Sequence, residues 1–269
     1  MIELVDVGID HPRGGAPLVT GANLQVVRGE VALIVGAAGV GTSRLVAATL
    51  GEAPLAHGRL EILGRDVAKL RRSSLRLLRR RIGIVPQNLC LLEDRSAQLN
   101  VVLPLEIDGV PRSISVRRAA EFLTLLELES EASLPVDCLP ASARQRVAVA
   151  RALVREPDLV VADHPTSAQD AMGADLVCTS IQAAAVRGAA CIVLGRDPQL
   201  RQLAALYGWR QLALVGGQLL PLGEIELDGR TIDEVLLGIE SAPTATPAAD
   251  LPNVVPFPMV ARTAAGVLP

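Results

Sequence analysis

A glycine-rich loop between an apolar run and a helical stretch constrains this chain more than any other feature. The run Val31–Val35 predicts a buried strand, and residues 45–50 predict a helix. The loop between them reads Gly36-Ala37-Ala38-Gly39-Val40-Gly41-Thr42-Ser43. Strand, glycine-rich turn and helix are the context of a phosphate-binding loop, because glycines let successive N–H groups point inward and the helix N-terminus adds partial positive charge. The sequence therefore predicts a cradle for a nucleotide phosphate.

The last two residues of this loop differ in how well they fit that use. Ser43 places a hydroxyl where the motif binds Mg²⁺, whereas Thr42 stands where the motif has a lysine. Threonine carries no charge and is too short to reach the β- and γ-phosphates. Lys69 is the only lysine of the chain, but an arginine could have kept the charge, and position 42 has none. The loop is thus predicted to lack its main cation.

Short apolar runs alternate with helical patterns along the chain, which predicts an α/β fold with a mainly parallel sheet, an antiparallel edge and a helical subdomain. The predicted strands are residues 2–7 (as an edge strand), 24–27, 31–35, 58–64, 82–85, 159–162 and 191–194, with a hairpin at 211–227. The predicted helices are residues 45–50, 67–81, 96–134 with a break at 108–111, 139–154, 170–187 and 231–238.

Four candidate ligand-binding positions come directly after predicted strands. They are the loop 36–43, Gln87, Asp163 and Arg196. In open α/β sheets, ligands bind beyond the carboxyl ends of the strands, so these positions are expected to meet at one edge.

Composition excludes several other functions. The net charge is −3 and only 1% of the residues are aromatic, which argues against nucleic acid as a partner. The four cysteines show no metal spacing and are expected to be buried free thiols in a reducing compartment. No signal peptide and no apolar stretch of about 20 residues is seen, so we expect a cytoplasmic protein, or one docked on the cytoplasmic face of a membrane.

The order and spacing of these motifs resemble the ATP-binding subunits of ABC transporters over about residues 1–225. The matching segments are the loop 36–43, Val85-Pro86-Gln87, residues 139–153, 159–170 and 193–197. Residues 91–106 resemble the branch that serves cell division, lipoprotein release and macrolide export, and Ala168-Gln169-Asp170 is closer to the lipid-transporting branch. The resemblance implies an ATP-binding domain at 1–240 with a helical subdomain at about 88–150, and we expect residues 241–269 to be a disordered Pro/Ala-rich tail.

The resemblance also implies a role for each candidate residue. ATP would lie on the loop 36–43 and against His11, which stands where the family has an aromatic residue. Mg²⁺ would be held by Ser43, Gln87 and Asp163. His164 replaces the glutamate that polarises the attacking water, and Arg196 replaces the switch histidine.

The family's signature is altered as well. Leu-Ser-Gly-Gly-Gln appears here as Leu139-Pro140-Ala141-Ser142-Ala143. Pro140 removes both a hydroxyl and an N–H that the signature directs at the γ-phosphate of the opposite subunit.

Three functions follow from the resemblance and its departures. The preferred one is a divergent subunit with weak or absent ATP hydrolysis, which forms a homo- or heterodimer and docks on an integral membrane transporter subunit. In the second, the protein is a working ATPase in which His164 and Arg196 take altered catalytic roles. In the third, it is a protein–protein module that no longer uses nucleotide.

Overall fold

The computed structural model describes residues 1–37 and 39–224, which lie in the compact unit Met1–Ile239. The strands are β1 (Ile2–Ile9), β2 (Val19–Val26), β3 (Val31–Gly36), β4 (His57–Ile62), β5 (Arg65–Asp66), β6 (Ile82–Val85), β7 (Leu159–Asp163), β8 (Ala190–Leu194), β9 (Arg210–Val215) and β10 (Gln218–Pro221). The helices are α1 (Thr42–Thr49), α2 (Arg72–Arg79), α3 (Ala97–Ile107), α4 (Arg112–Leu125), α5 (Ala141–Leu153), α6 (Ala171–Val186) and α7 (Pro198–Leu206). The predicted tail 241–269 and the predicted helix 231–238 lie outside the described residues.

The larger sheet has the order β10-β9-β3-β8-β7-β6, and all its neighbours run parallel except the β9–β10 hairpin. The smaller sheet has the order β2-β1-β4-β5 and is antiparallel. The α/β fold with a mainly parallel sheet and an antiparallel edge is therefore confirmed. The boundaries 88–150 for a helical subdomain stay a prediction.

Strand β3 lies within the larger sheet, between β9 and β8, and both of its faces are buried. Val31 and Leu33 point into the core formed with helices α3 to α7, whereas Ala32 and Ile34 point into the core shared with the smaller sheet and α1. Side chains alternate between the two faces of a strand, so a continuous apolar run is what a strand between two cores requires. The loop 36–43 thus begins at a strand that is buried on both faces.

Strand β1 is not an edge strand, contrary to the prediction from its alternating pattern. It pairs with β2 on one side and β4 on the other. Alternation of apolar and polar residues indicates that one face of a strand is buried, as Ile2 and Leu4 are here. It does not indicate how many neighbouring strands pair with it.

Two helical predictions needed correction, and one helix was not predicted. The predicted helix 67–81 is a 3₁₀ turn at Val67–Lys69, an extended Leu70 and the shorter helix α2. The break at 108–111 is confirmed, but residues 126–134 form turns rather than helix. Helix α7 was not predicted; the side chain of Asp197 caps it by accepting a hydrogen bond from the backbone N–H of Gln199 at 3.0 Å.

The cysteines divide into two classes. Cys178 and Cys191 are buried as expected, and burial raises the pKa of each thiol to about 12. Cys90 and Cys138 are exposed, so the expectation of four buried thiols was wrong. Among the described residues, no helix is long and apolar enough to span a bilayer.

Candidate functional site

The loop after β3 depends on glycine at both ends. Gly41 adopts a φ of 113°, and a Cβ there would lie 2.9 Å from Cβ of Leu18. A Cβ at Gly36 would lie 2.7 Å from Cγ1 of Val40 and 3.2 Å from Cγ2 of Thr42, so two methyl groups pack over the end of β3. Only glycine fits either position without displacing its neighbours. Ala38 is outside the described residues.

Helix α1 begins at Thr42, so the last two residues of the loop 36–43 form its first turn, and no side chain caps its N-terminus. The first N–H groups of a helix lack partners within the helix and attract anions. The helix end predicted to bind phosphate is therefore present, but the side chain at its first position is the uncharged Thr42.

Ser43 and Asp163 lie together at the carboxyl ends of β3 and β7, and Ser43 Oγ donates a hydrogen bond of 3.4 Å to Oδ2 of Asp163. The other carboxylate oxygen of Asp163, Oδ1, is buried and has no hydrogen-bond partner. Burial raises the pKa of this carboxyl group, against the smaller lowering effects of His164 and Ser43. A buried carboxylate oxygen without a partner, beside a hydroxyl, is suited to a hard cation such as Mg²⁺.

Gln87 lies in the same pocket as Ser43 and Asp163. Ser43, Gln87 and Asp163 line one open pocket of about 570 Å³ between α1 and the end of β6. The three predicted metal ligands are therefore brought together. The described residues hold no group of three or more His, Cys, Asp or Glu that could form another kind of metal site.

His164 is held in place through its backbone. Its φ is 53°, its N–H donates to the carbonyl of Leu194 at 2.7 Å, and its own carbonyl accepts from Nε2 of Gln145 at 2.9 Å. Its side-chain Nε2 lies 3.9 Å from Oδ1 of Asp163. The imidazole therefore lies beside the carboxylate of Asp163, but too far from it for a hydrogen bond.

Arg196 and His11 stand apart from this cluster. Arg196 follows β8, is exposed, and forms no ion pair within the part of the chain that the structure describes. His11 lies in the turn after β1, where Nδ1 accepts a hydrogen bond from the N–H of Arg13 at 3.2 Å. Neither residue lines the pocket of Ser43, Gln87 and Asp163.

Gln145 has a role that the sequence did not reveal. It is buried in α5, and its Nε2 donates to the carbonyl of His164 and, at 3.1 Å, to Oγ of Ser167. Its Oε1 accepts from the N–H of Ala168 at 3.1 Å and from Nε2 of Gln169 at 3.0 Å. One side chain thus ties α5 to the segment that follows Asp163. Little in the sequence signalled this role, because helix α5 contains several other polar residues, among them Arg144 and Arg146.

Arg151, also in α5, supports the segment after Gln87. Its Nη1 donates to the carbonyl of Cys90 at 2.6 Å, and its Nη2 donates to that of Leu89 at 2.5 Å. Both accepting residues have a positive φ. Positive φ angles cost conformational energy in residues other than glycine, and the two hydrogen bonds from the guanidinium stabilise the turn against that cost.

Pro140 directly precedes helix α5, and no side chain caps that helix. Gln169 donates to the carbonyl of Ser142 at 2.9 Å, which fixes the first turn of the helix from outside. A proline at this position supplies neither an N–H nor a hydroxyl to a ligand.

Comparison with known protein families identifies one match, the ABC transporter family, over residues 19–167. The chain is 37% identical over 194 residues to the lipoprotein-releasing system ATP-binding protein LolD of Neorickettsia sennetsu, which covers 70% of this chain and 83% of that protein. It is 39% identical over 157 residues to the methionine import ATP-binding protein MetN of Brucella abortus, but that match spans 58% of this chain and only 42% of the relative.

Solved structures show the same architecture. The dimeric structure of the ATP-binding cassette MJ0796 in a post-hydrolysis state, bound to ADP and Pi, superposes with a TM-score of 0.74 at 27% identity, covering 81% of this chain and 96% of that one. The cbiO1 structure from Clostridium perfringens has a TM-score of 0.70 at 24% identity, covering 81% of this chain and 86% of that one, which supports the fold alone.

Proposed function

Because the chain belongs to the ABC transporter family, we propose that it is an ATP-binding subunit that binds nucleotide weakly and hydrolyses it slowly or not at all. The observation that most supports this proposal is Thr42, an uncharged residue at the first position of α1. The groups for Mg²⁺ remain together, whereas the groups that would hold and cleave a triphosphate are replaced.

Nucleotide binding is expected to be weak because the loop lacks its cation. A charge-assisted hydrogen bond to phosphate contributes about 1.5–3 kcal/mol, so its loss lowers affinity roughly ten- to a hundredfold. Ser43, Gln87 and Asp163 would hold the Mg²⁺ of Mg-ATP, which when bound neutralises charge on the phosphates. This residual site is why we propose weak binding rather than none.

Hydrolysis is expected to be slow for a separate reason. His164 stands where the family has the glutamate that polarises the attacking water, and its Nε2 lies 3.9 Å from Oδ1 of Asp163. The site therefore lacks the family's carboxylate base, and the loss of a positioned base costs about 10²–10⁴ in rate. Pro140 removes a further phosphate donor, although such losses act as a unit and do not simply multiply.

We further propose that the chain works as a homo- or heterodimer docked on an integral membrane partner, on the cytoplasmic face. The names of the relatives support this, since LolD and MetN are ATP-binding proteins of a releasing system and an importer, and the MJ0796 cassette is a dimer. In head-to-tail dimers, each site joins the loop of one subunit to the signature of the other. Because both elements are altered here, every pairing of this chain leaves at least one altered element in each site.

A melting experiment with and without Mg-ATP tests nucleotide binding. A ligand at 100 times its Kd stabilises a protein by about 2.7 kcal/mol. At 1 mM Mg-ATP we expect wild type to gain less than this, and Thr42→Lys to gain more than wild type. Gln202→Lys, which adds the same charge on the exposed face of α7, should behave as wild type.

Two results would contradict the proposal. A wild-type gain above 2.7 kcal/mol, unchanged by Thr42→Lys, would show that the loop binds tightly without its lysine. No gain in any variant would instead favour a protein–protein module that does not use nucleotide.

A further inference from the structure

Helix α2 and its flanks concentrate positive charge on a chain of net negative charge. Residues 64–81 contain seven arginines and Lys69 but only one acidic residue, Asp66, although the whole chain carries a net charge of −3. The buried side of this segment is apolar, with Leu78 in the core and Leu70 and Leu75 packed against it. The arginines therefore lie on the opposite, solvent-facing side.

Three of these seven arginines are already paired with groups of the protein. Arg79 donates to the carbonyl of Leu50 at 2.7 Å and lies 3.7 Å from Glu52. The guanidinium groups of Arg80 and Arg81 pair with other carboxylates, Asp108 at 3.8 Å and Asp158 at 2.8 Å. The acidic residues around the helix are thus occupied by these three arginines, and by Lys69, which pairs with Asp66 at 2.9 Å.

Of the other four arginines, Arg65 lies in strand β5, away from the helix. The remaining three, Arg71, Arg72 and Arg76, are exposed and form no ion pair within the part of the chain that the structure describes. Leu77, next to Arg76, is 58% exposed. We call these four residues the α2 face. The α2 face combines unneutralised positive charge with an exposed apolar side chain. None of its four residues lines a pocket described in the structure, so the face has no cavity that would select one small anion.

We propose that the α2 face contacts the anionic lipid headgroups of a membrane. Long arginine side chains on an exposed helix can each reach a phosphate in a surface of mobile anions, and a neighbouring leucine can enter the headgroup region. An acidic protein segment would need its carboxylates fixed in register with the three arginines, whereas a lipid surface supplies anions wherever the arginines fall. The charge and the exposed leucine together favour lipid.

Vesicle co-sedimentation of the full chain, without nucleotide, tests this contact independently of the proposed function. We expect stronger partitioning onto vesicles with 30% phosphatidylglycerol than onto pure phosphatidylcholine, and a decline as salt is raised. Each basic residue near an anionic surface contributes about fivefold, so the Arg71→Gln/Arg72→Gln/Arg76→Gln variant should bind about a hundredfold more weakly.

A matched control separates the α2 face from overall charge. The variant Arg13→Gln/Arg117→Gln/Arg187→Gln removes three exposed arginines elsewhere and gives the same net charge, −6 from −3. It should keep most of the binding, and both variants should melt near the wild-type temperature. Equal partitioning of wild type onto both vesicle types, or equal loss in the two variants, would overturn the proposal. Binding to polyglutamate through the α2 face without binding to vesicles would assign the face to an acidic protein and overturn it too.

Discussion

The side-chain amide of Gln145 donates a hydrogen bond of 2.9 Å to the backbone carbonyl of His164. Helix α5, which begins directly after Pro140, therefore holds His164, the residue that follows Asp163. Since Gln145 also contacts Ser167 and Ala168, the position of α5 and the shape of the segment 164–168 depend on each other. A shift of α5 would therefore displace the segment 164–168, and a shift of that segment would displace α5.

Replacing Gln145 should be costly for stability. Gln145→Ala removes four hydrogen bonds in a buried site and leaves the N–H of Ala168 without a partner, so we expect a loss of about 2–3 kcal/mol in unfolding free energy. Urea unfolding measures this loss. The matched variant Gln202→Ala, at an exposed helical position, should change stability by less than about 0.5 kcal/mol. Similar small effects for both variants would show that the Gln145 bonds are not formed in solution.

Replacing Arg151 should loosen the segment after Gln87. In Arg151→Lys a single ammonium replaces the two-pronged contact with the carbonyls of Leu89 and Cys90, so we expect faster amide exchange across residues 87–95. Hydrogen exchange followed by mass spectrometry measures this. Arg187→Lys, at an exposed position, is the control and should leave the exchange unchanged. Unchanged protection in Arg151→Lys would argue against the clamp.

Asp158 should make stability depend on pH. Its carboxylate pairs with Arg81 at 2.8 Å and Arg28 at 2.6 Å, and the hydrogen bond from Arg81 holds the pKa of Asp158 below its usual 3.8. A lowered pKa in the folded state stabilises the protein at pH values above the unfolded pKa, and this contribution is lost as pH falls through the folded pKa.

We therefore expect Asp158→Asn to cost about 1–2 kcal/mol at pH 7, and the difference from wild type to shrink below about pH 4 and vanish at lower pH. Melting temperatures across this range measure the effect. Asp10→Asn, at an exposed position without an ion pair in the described structure, should follow wild type throughout. A difference that grows as pH falls would contradict the assigned sign.

Local patterns were enough to predict the edge of the sheet where the site lies. The apolar run of β3, the glycines after it and the polar residues after β6 and β7 predicted that Ser43, Gln87 and Asp163 would meet, and they line one pocket. The rule involved is local, because parallel strands end at the same edge of the sheet.

Contacts between distant segments could not be predicted in this way. Gln145 and Arg151 each bond to carbonyls 19 or more residues away, and no periodicity encodes such a partner. The prediction that β1 is an edge strand was wrong for the same reason, since burial of one face does not fix the order of strands in a sheet. Exposure of Cys90 and Cys138 was missed because cysteine is usually buried, and that general preference does not show which positions lie at the surface.

Steady-state hydrolysis of Mg-ATP by the purified full chain tests the central claim most directly, with Asp163→Ala measured in parallel to show that any activity belongs to this site. The account predicts a wild-type turnover well below about 1 s⁻¹, the lower end of the ordinary enzyme range. A turnover above about 1 s⁻¹ that Asp163→Ala abolishes would contradict it.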